Sequence, residues 1–295
     1  MIPTESATLI AQNTMIAADG LSSTKIKVLV FEDGLIQKIT GGDVITLTTT
    51  AGSLGTVTDN GDGTYTAELT SSMIEETAVI SGTLNGNSIV LTASVSFGVA
   101  RLSTFTTTLP LNEQFDPAVT SYTASVANAV DSFKVNPGTV SGERVKLTRI
   151  IDGWGYTLTA NNESAGITIY NEGPNDFTFT VEGAFQRPTV YTVTIDRQRS
   201  AKLTDMKTTV PNFAFDPNKV NYSAVLFNNT TTLTPTFEVG TTVKVSINGS
   251  ALSPIHSGDP VTVPISGGGK EEIVLFHVTE SGKAERQYSY RIIGK

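Results

Sequence analysis

The chain has 295 residues, 39% of them hydrophobic and only 16% charged, and its 20 Lys and Arg against 28 Asp and Glu leave a net charge of −8. The few basic residues are scattered along the sequence, which argues against nucleic acid and anionic lipid as partners, because both need a clustered cationic surface. Cysteine is absent, which excludes a disulfide framework and a thiolate metal site, and no stretch is long and apolar enough to insert in a membrane.

The acidic balance serves solubility. Thr is the commonest residue and favours strands over helices, while 26 Gly and 12 Pro supply turns. Helical periodicity never lasts beyond about two turns. The N-terminal Met1-Ile2-Pro3-Thr4-Glu5-Ser6 has neither a basic nor an apolar signal region. If Met1 is the native start, the expectation is a protein that does not use the usual secretory route. If flanking regions have been removed, that expectation lapses.

In chain order, the first strand signal is Lys25-Ile26-Lys27-Val28-Leu29-Val30-Phe31, which alternates and then runs apolar, followed by a turn at Asp33-Gly34. Val44 to Thr49 is a second strand. Gly55-Thr56-Val57-Thr58 and Thr64 to Leu69 flank the tight turn Asn60-Gly61-Asp62-Gly63. Ala78 to Leu84 and Ile89 to Phe97 close this region, with Asn85-Gly86-Asn87 as a hairpin turn between them. Short strands separated by Gly-rich turns predict an antiparallel sandwich.

The next two hundred residues open twice with one phrase. From Leu102 the chain reads LSTFTTTLPLNEQFDPAVTSYTASV, and from Leu203 it reads LTDMKTTVPNFAFDPNKVNYSAVL. Phe115-Asp116-Pro117 pairs with Phe215-Asp216-Pro217, and Tyr122 with Tyr222. A period of about one hundred residues is one whole domain rather than a solenoid repeat. Each copy closes on alternating strands, Phe177–Val181 with Tyr191–Ile195, and Glu272–Val278 with Tyr288–Ile292. The intervening turns are Glu182-Gly183 and Glu280-Ser281-Gly282. The predicted fold is therefore all-β, three tandem immunoglobulin-like antiparallel β-sandwiches at 1–99, 100–197 and 198–295. The connections at Ser96–Arg101 and Asp196–Lys202 are short and lack Gly/Ser or Pro tracts, so semi-rigid joints are expected.

Two resemblances follow from these motifs. The segments Ala18–Ser23, Ile26-Lys27-Val28, Gly41–Val44 and Thr50-Ala51-Gly52, and above all Asp59-Asn60-Gly61-Asp62-Gly63-Thr64-Tyr65-Thr66-Ala67, make residues 10–97 resemble the invasin/intimin family of bacterial immunoglobulin-like domains. That resemblance implies a seven-strand sandwich used as a spacer or adhesive module, with no catalytic residues. The opening Leu, the Phe-x-Pro and Tyr, and the closing Tyr-x-Val-x-Ile strand make the other two modules resemble bacterial cadherin-like β-sandwich domains. Those modules typically occur in bacterial surface proteins and phage structural proteins.

Other motifs read more simply as structure. Asp59 starts no EF-hand loop, because Gly61, Gly63 and Thr70 stand where oxygen ligands are needed. No carboxylate lies at 96–102, and Asp196 and Asp205 lie among three basic residues at the second joint, so no interdomain calcium and no other metal or cofactor is expected. In Phe-Asp-Pro, Phe suits the core, Asp a turn, and Pro a fixed φ.

Catalysis has little to work with. His256 and His277 are the only His residues, and His277 sits in an alternating strand. The pairs Glu75-Glu76 and Glu271-Glu272 would point to opposite faces, and no Gly-x-Ser-x-Gly elbow occurs. Gly267-Gly268-Gly269-Lys270 breaks the phosphate-loop spacing, because Glu271 follows the Lys, and reads as a flexible loop. An enzyme is not expected.

Trp154 is the only Trp, in Asp152-Gly153-Trp154-Gly155-Tyr156. A core plug is one reading. The other is an exposed turn on which Trp154 and Tyr156 make a surface contact. The two copies also diverge around Pro254-Ile255-His256.

The function expected is a non-enzymatic phage virion component: a capsid decoration protein, head fibre or tail accessory. Its partners would be capsid or tail proteins of the same particle and host surface glycans, with room for a homo-oligomer. The alternative is a stalk or adhesin fragment of a bacterial cell-surface protein. A carbohydrate-binding accessory module is a third reading.

Overall fold

A computed structural model describes residues 5–140 and 142–295, so the part of the N-terminal reading that rests on Met1-Ile2-Pro3-Thr4 lies outside the described residues. The described residues form strands and turns with no helix. The chain falls into two compact units. One comprises Met1–Tyr122, Lys134–Gly166 and Asp176–Val193, and the other Thr123–Phe133, Ile167–Asn175 and Thr194–Lys295.

The first hundred residues lie in the first unit. Their strands are β1 (Ser6–Ala11), β2 (Met15–Ala17), β3 (Ser23–Glu32), β4 (Ile36–Gln37), β5 (Ile45–Thr49), β6 (Ser53–Leu54), β7 (Thr58–Asp59), β8 (Thr64–Thr70), β9 (Glu76–Leu84), β10 (Asn87–Ser88) and β11 (Ala93–Gly98). One sheet runs β1-β3-β8-β6 and the other β10-β9-β11-β2. Alternation decides which side chains go inside. In β3, Thr24, Ile26, Val28 and Val30 are buried while Lys25 and Lys27 between them are exposed. Each fully buried Ile or Val contributes roughly 1.5–3 kcal/mol over an exposed one. Ala78, Ile80, Val95 and Phe97 from the second sheet complete the same core.

Two predicted strands are interrupted. Gly55–Val57 is not a strand; β6 and β7 pair with β8 on either side of it, and the Gly55 N–H keeps one bond, to the Glu68 carbonyl at 2.8 Å. Ile89–Thr92 is irregular as well. Ile89 is buried, but Val90 and Leu91 both face solvent, which breaks the alternation a strand needs. The Asn60–Gly63 turn forms as expected, with the Asn60 N–H donating to the Thr64 carbonyl at 3.0 Å. Gly63 there has φ +77°, and a Cβ on it would collide with the Lys38 carbonyl.

The next strands are β12 (Thr104–Thr107), β13 (Ser121–Val126), β14 (Ser132–Phe133), β15 (Val135–Gly138), β16 (Arg144–Arg149), β17 (Gly155–Leu158), β18 (Ile167–Thr168), β19 (Gly173–Glu182) and β20 (Thr189–Arg197). The main sheet has the order β13-β20-β19-β16-β17, and the division between the two units crosses β13, β19 and β20. Phe177, Phe179 and Val181 of β19 are fully buried at alternate positions.

The last strands are β21 (Asp205–Thr208), β22 (Asn221–Leu226), β23 (Thr230–Thr236), β24 (Thr241–Ile247), β25 (Ser253–Ile255), β26 (Val261–Pro264), β27 (Glu271–Glu280) and β28 (Arg286–Gly294). They form a three-stranded sheet β21-β23-β26 and a five-stranded sheet β22-β28-β27-β24-β25. The architecture is that of all-β, immunoglobulin-like sandwiches. Most pairs are antiparallel, but β2 joins β11 and β22 joins β28 in parallel, so an early strand runs alongside the last one.

The repeated phrase has a specific structural job. The Tyr122 hydroxyl donates to the Asp116 carbonyl at 2.6 Å and accepts the Asp116 N–H at 3.0 Å. Tyr222 treats Asp216 the same way, at 2.6 and 3.0 Å. A second tyrosine takes the next carbonyl: Tyr191 donates to Pro117 at 2.8 Å and Tyr288 to Pro217 at 2.7 Å. Phe115 stacks on Tyr122, and Phe215 on Tyr222, at 5.6 and 5.9 Å between ring centroids. Asp116 and Asp216 each accept a backbone N–H two residues on, at 2.8 Å, which fixes the turn.

Candidate functional site

The sole Trp stands on the turn between β16 and β17, the edge strand of the middle sheet, within the first unit. The turn is closed by backbone bonds. The Arg149 N–H donates to the Trp154 carbonyl at 2.7 Å and the Gly153 N–H to the Arg149 carbonyl at 3.0 Å. Gly153 has φ +69°, a conformation that other residues adopt only with strain. Asp152 accepts the Trp154 N–H at 3.1 Å.

A buried cation supports the indole. The Arg149 side chain is only 4% exposed, and its guanidinium makes a two-pronged pair with Asp152 at 3.0 and 2.7 Å. The same guanidinium lies 4.8 Å from the Trp154 ring centroid, a cation–π contact. The Arg149 hydrogen bond holds the Asp152 carboxyl below the ordinary carboxylate range. Tyr156 meets the indole edge to face at 5.3 Å. The Tyr156 hydroxyl is buried with no hydrogen-bond partner.

Trp154 is therefore not a core plug. It is 42% exposed, and Ile150 and Ile151 beside it are 55% and 59% exposed. Tyr156 is half-buried behind it. Trp154 and Tyr156, the two candidates from the sequence, are in ring contact, and Ile150, Ile151 and Arg149 lie on the same turn without having been singled out. The adjacent Ile pair at the end of an alternating strand was the available signal, since period two must leave one of them outside. The turn thus carries three exposed hydrophobic side chains, Ile150, Ile151 and Trp154, with the indole supported by the Arg149–Asp152 pair.

The remaining candidates lie apart. His256, 95% exposed in its side chain, pairs with Asp259 at 3.1 Å on the loop after β25. His277 on β27 meets Glu285 at 2.9 Å. Glu271 pairs with Arg291, whereas Glu272 turns inward to accept the Ser266 N–H at 3.2 Å. No group of three or more metal-ligating side chains occurs among the described residues.

Residues 3–100 match the family model described as invasin, domain 3. Residues 88–198 match the model described as cadherin-like beta sandwich domain. No curated protein matches the chain. Among solved structures, InvD of Yersinia pseudotuberculosis is 14% identical, with 98% of this chain and 97% of that one covered and a TM-score of 0.31. Invasin, a bacterial integrin-binding protein, is 17% identical over 100% of this chain and 60% of its own, with a TM-score of 0.35. A 282-residue C-terminal fragment of intimin, solved in complex with the intimin-binding domain of the translocated intimin receptor, is 16% identical over 72% and 67%, with a TM-score of 0.35. The chain thus joins a segment similar to the third domain of invasin to a segment similar to cadherin-like β-sandwich domains.

Proposed function

We propose that this chain is a non-enzymatic spacer and contact segment of a bacterial surface adhesin, built from three immunoglobulin-like modules at 1–99, 100–197 and 198–295. The observation that carries this reading is the match of residues 3–100 to invasin domain 3. The cadherin-like match over 88–198 is compatible with it. The invasin match favours a cell-surface adhesin over the virion component that the sequence first suggested, and host surface molecules replace capsid and tail proteins as the expected partners.

Within this reading, the exposed Ile150, Ile151 and Trp154 form the contact surface. A rigid aromatic anchor flanked by aliphatic side chains is the composition of an interface hot spot. The test is adhesion of beads coated with the chain to epithelial cells. Coated beads should bind above bare beads, and Trp154→Ala with Ile151→Ser should reduce binding severalfold while the circular dichroism spectrum stays that of the folded parent. Coated beads that bind no better than bare ones would overturn the contact role.

A further inference from the structure

Folding brings a distant lysine to two neighbouring arginines. Arg197, Arg199 and Lys283 line one cavity of about 730 Å³ in the second unit, together with Asp196, Ser125, Ser281 and Gly282. That volume lies in the range of small-molecule sites, roughly 300–1,000 Å³.

The charges nearby divide into paired and unpaired sets. Glu172 takes Lys202 at 2.9 Å and Arg286 at 2.8 Å, and Lys283 has Glu280 at 2.6 Å. Arg197 donates instead to two backbone carbonyls, those of Asn128 at 2.7 Å and Ile169 at 3.3 Å. Neither Arg197 nor Arg199 has a carboxylate within 4.0 Å among the described residues. Carbonyls orient a guanidinium without cancelling its charge. Two guanidinium groups without a direct carboxylate partner therefore share the cavity wall with one carboxylate, Asp196, while Glu172, Glu238 and Glu280 line the adjoining cavity on the other side of Arg199.

A glycine makes room for one of them. Gly173 has φ +84°, and a Cβ there would stand 2.9 Å from Arg199 Nη2 and 3.2 Å from Nε. The guanidinium thus lies directly over the Gly173 backbone. Its planar fork matches a carboxylate or a sulfate. Around it the serine hydroxyls and the Gly282 backbone offer hydrogen bonds of the kind sugar hydroxyls use.

We propose that this cavity binds an acidic saccharide of one or two units, its carboxylate or sulfate seated on Arg199 beside Arg197. No aromatic side chain among the described residues lines the cavity, so affinity is in the millimolar class. The site goes beyond the adhesin reading and stands or falls without it, because binding is measured on the free chain in solution.

The experiment is an amide-detected NMR titration of the full chain at low ionic strength with sialyllactose, a sulfated disaccharide, lactose and inorganic sulfate. Sialyllactose or the sulfated disaccharide should shift the Gln198 and Gly282 amides saturably, and lactose should not. Arg199→Ala should weaken binding about tenfold, the loss of roughly one charge-assisted pair. Arg199 is exposed, so the variant should keep its melting temperature, and Arg199→Lys should recover part of the affinity. The proposal fails if lactose binds as well as sialyllactose, if sulfate alone binds as tightly as both acidic saccharides, or if Arg199→Ala leaves affinity unchanged.

Discussion

Replacing Tyr122 by Phe removes one oxygen that serves two backbone groups. The hydroxyl donates to the Asp116 carbonyl at 2.6 Å and accepts the Asp116 N–H at 3.0 Å. Each such bond contributes about 1 kcal/mol net, so the variant should lose about 2 kcal/mol. For a domain of 60–100 residues this lowers the melting temperature by roughly 10 °C. Tyr222→Phe should cost the same, since Asp216 receives identical bonds.

Tyr290→Phe is the control with opposite sign. Its hydroxyl is buried without a partner, and burial pushes its pKa far above the usual phenol range. Phe keeps the ring on Tyr222 at 4.8 Å and the edge contact with Phe276 at 5.6 Å. Removing an unsatisfied buried hydroxyl should gain about 1 kcal/mol and raise the transition by several degrees. The assay is differential scanning calorimetry with the transitions resolved, because a chain of several domains does not unfold as one two-state unit. Equal losses in Tyr122→Phe and Tyr290→Phe would refute the assignment of the clamp to the hydroxyl.

Other outcomes follow from single residues. Gly63→Ala should destabilise by several kcal/mol, because its Cβ meets the Lys38 carbonyl. Gly61→Ala, with φ +79° but open space, should cost only about 1 kcal/mol in urea titrations. Burial opposes ionisation of Glu172, but hydrogen bonds from Ser200, Lys202 and Asn128 outweigh it and hold the carboxyl at about 2. The folded pKa lies below the ordinary 4.5, so the stabilisation is full above about pH 4.5 and is lost as pH falls toward 2. Urea midpoints of Glu172→Gln should therefore lose that part of the decline over this window, and a decline identical to the parent chain would contradict the network. Trp154→Ala gives up the cation–π contact with the buried Arg149 and the edge contact with Tyr156, and should cost about 1 kcal/mol in the same titrations.

The sandwich pattern was legible because burial imposes period two. The run from Lys25 to Phe31 and the Phe177–Val181 strand announce their inner faces directly. The Phe-Asp-Pro turns were legible as structure, but their tyrosine clamps were not. Tyr122 and Asp116 are six residues apart, and only the fold shows that one hydroxyl serves both backbone groups. Gly55–Val57 and Ile89–Thr92 misled because strand-forming residues there have no continuous neighbour to pair with. Trp154 stayed open between core and turn, because its size suggests burial and its flanking Gly residues a turn; Arg149, buried beneath the turn, supports the exposed ring. The cationic cavity was hidden for a plainer reason: Lys283 meets Arg197 and Arg199 only across the fold.

The surface assignment is tested most directly by immunogold labelling of intact bacteria carrying the native gene, with antibodies raised against the purified chain. The adhesin account predicts dense labelling of the outer surface of unlysed cells, removed by brief protease treatment. Labelling confined to released phage particles, with intact cells bare, would contradict it.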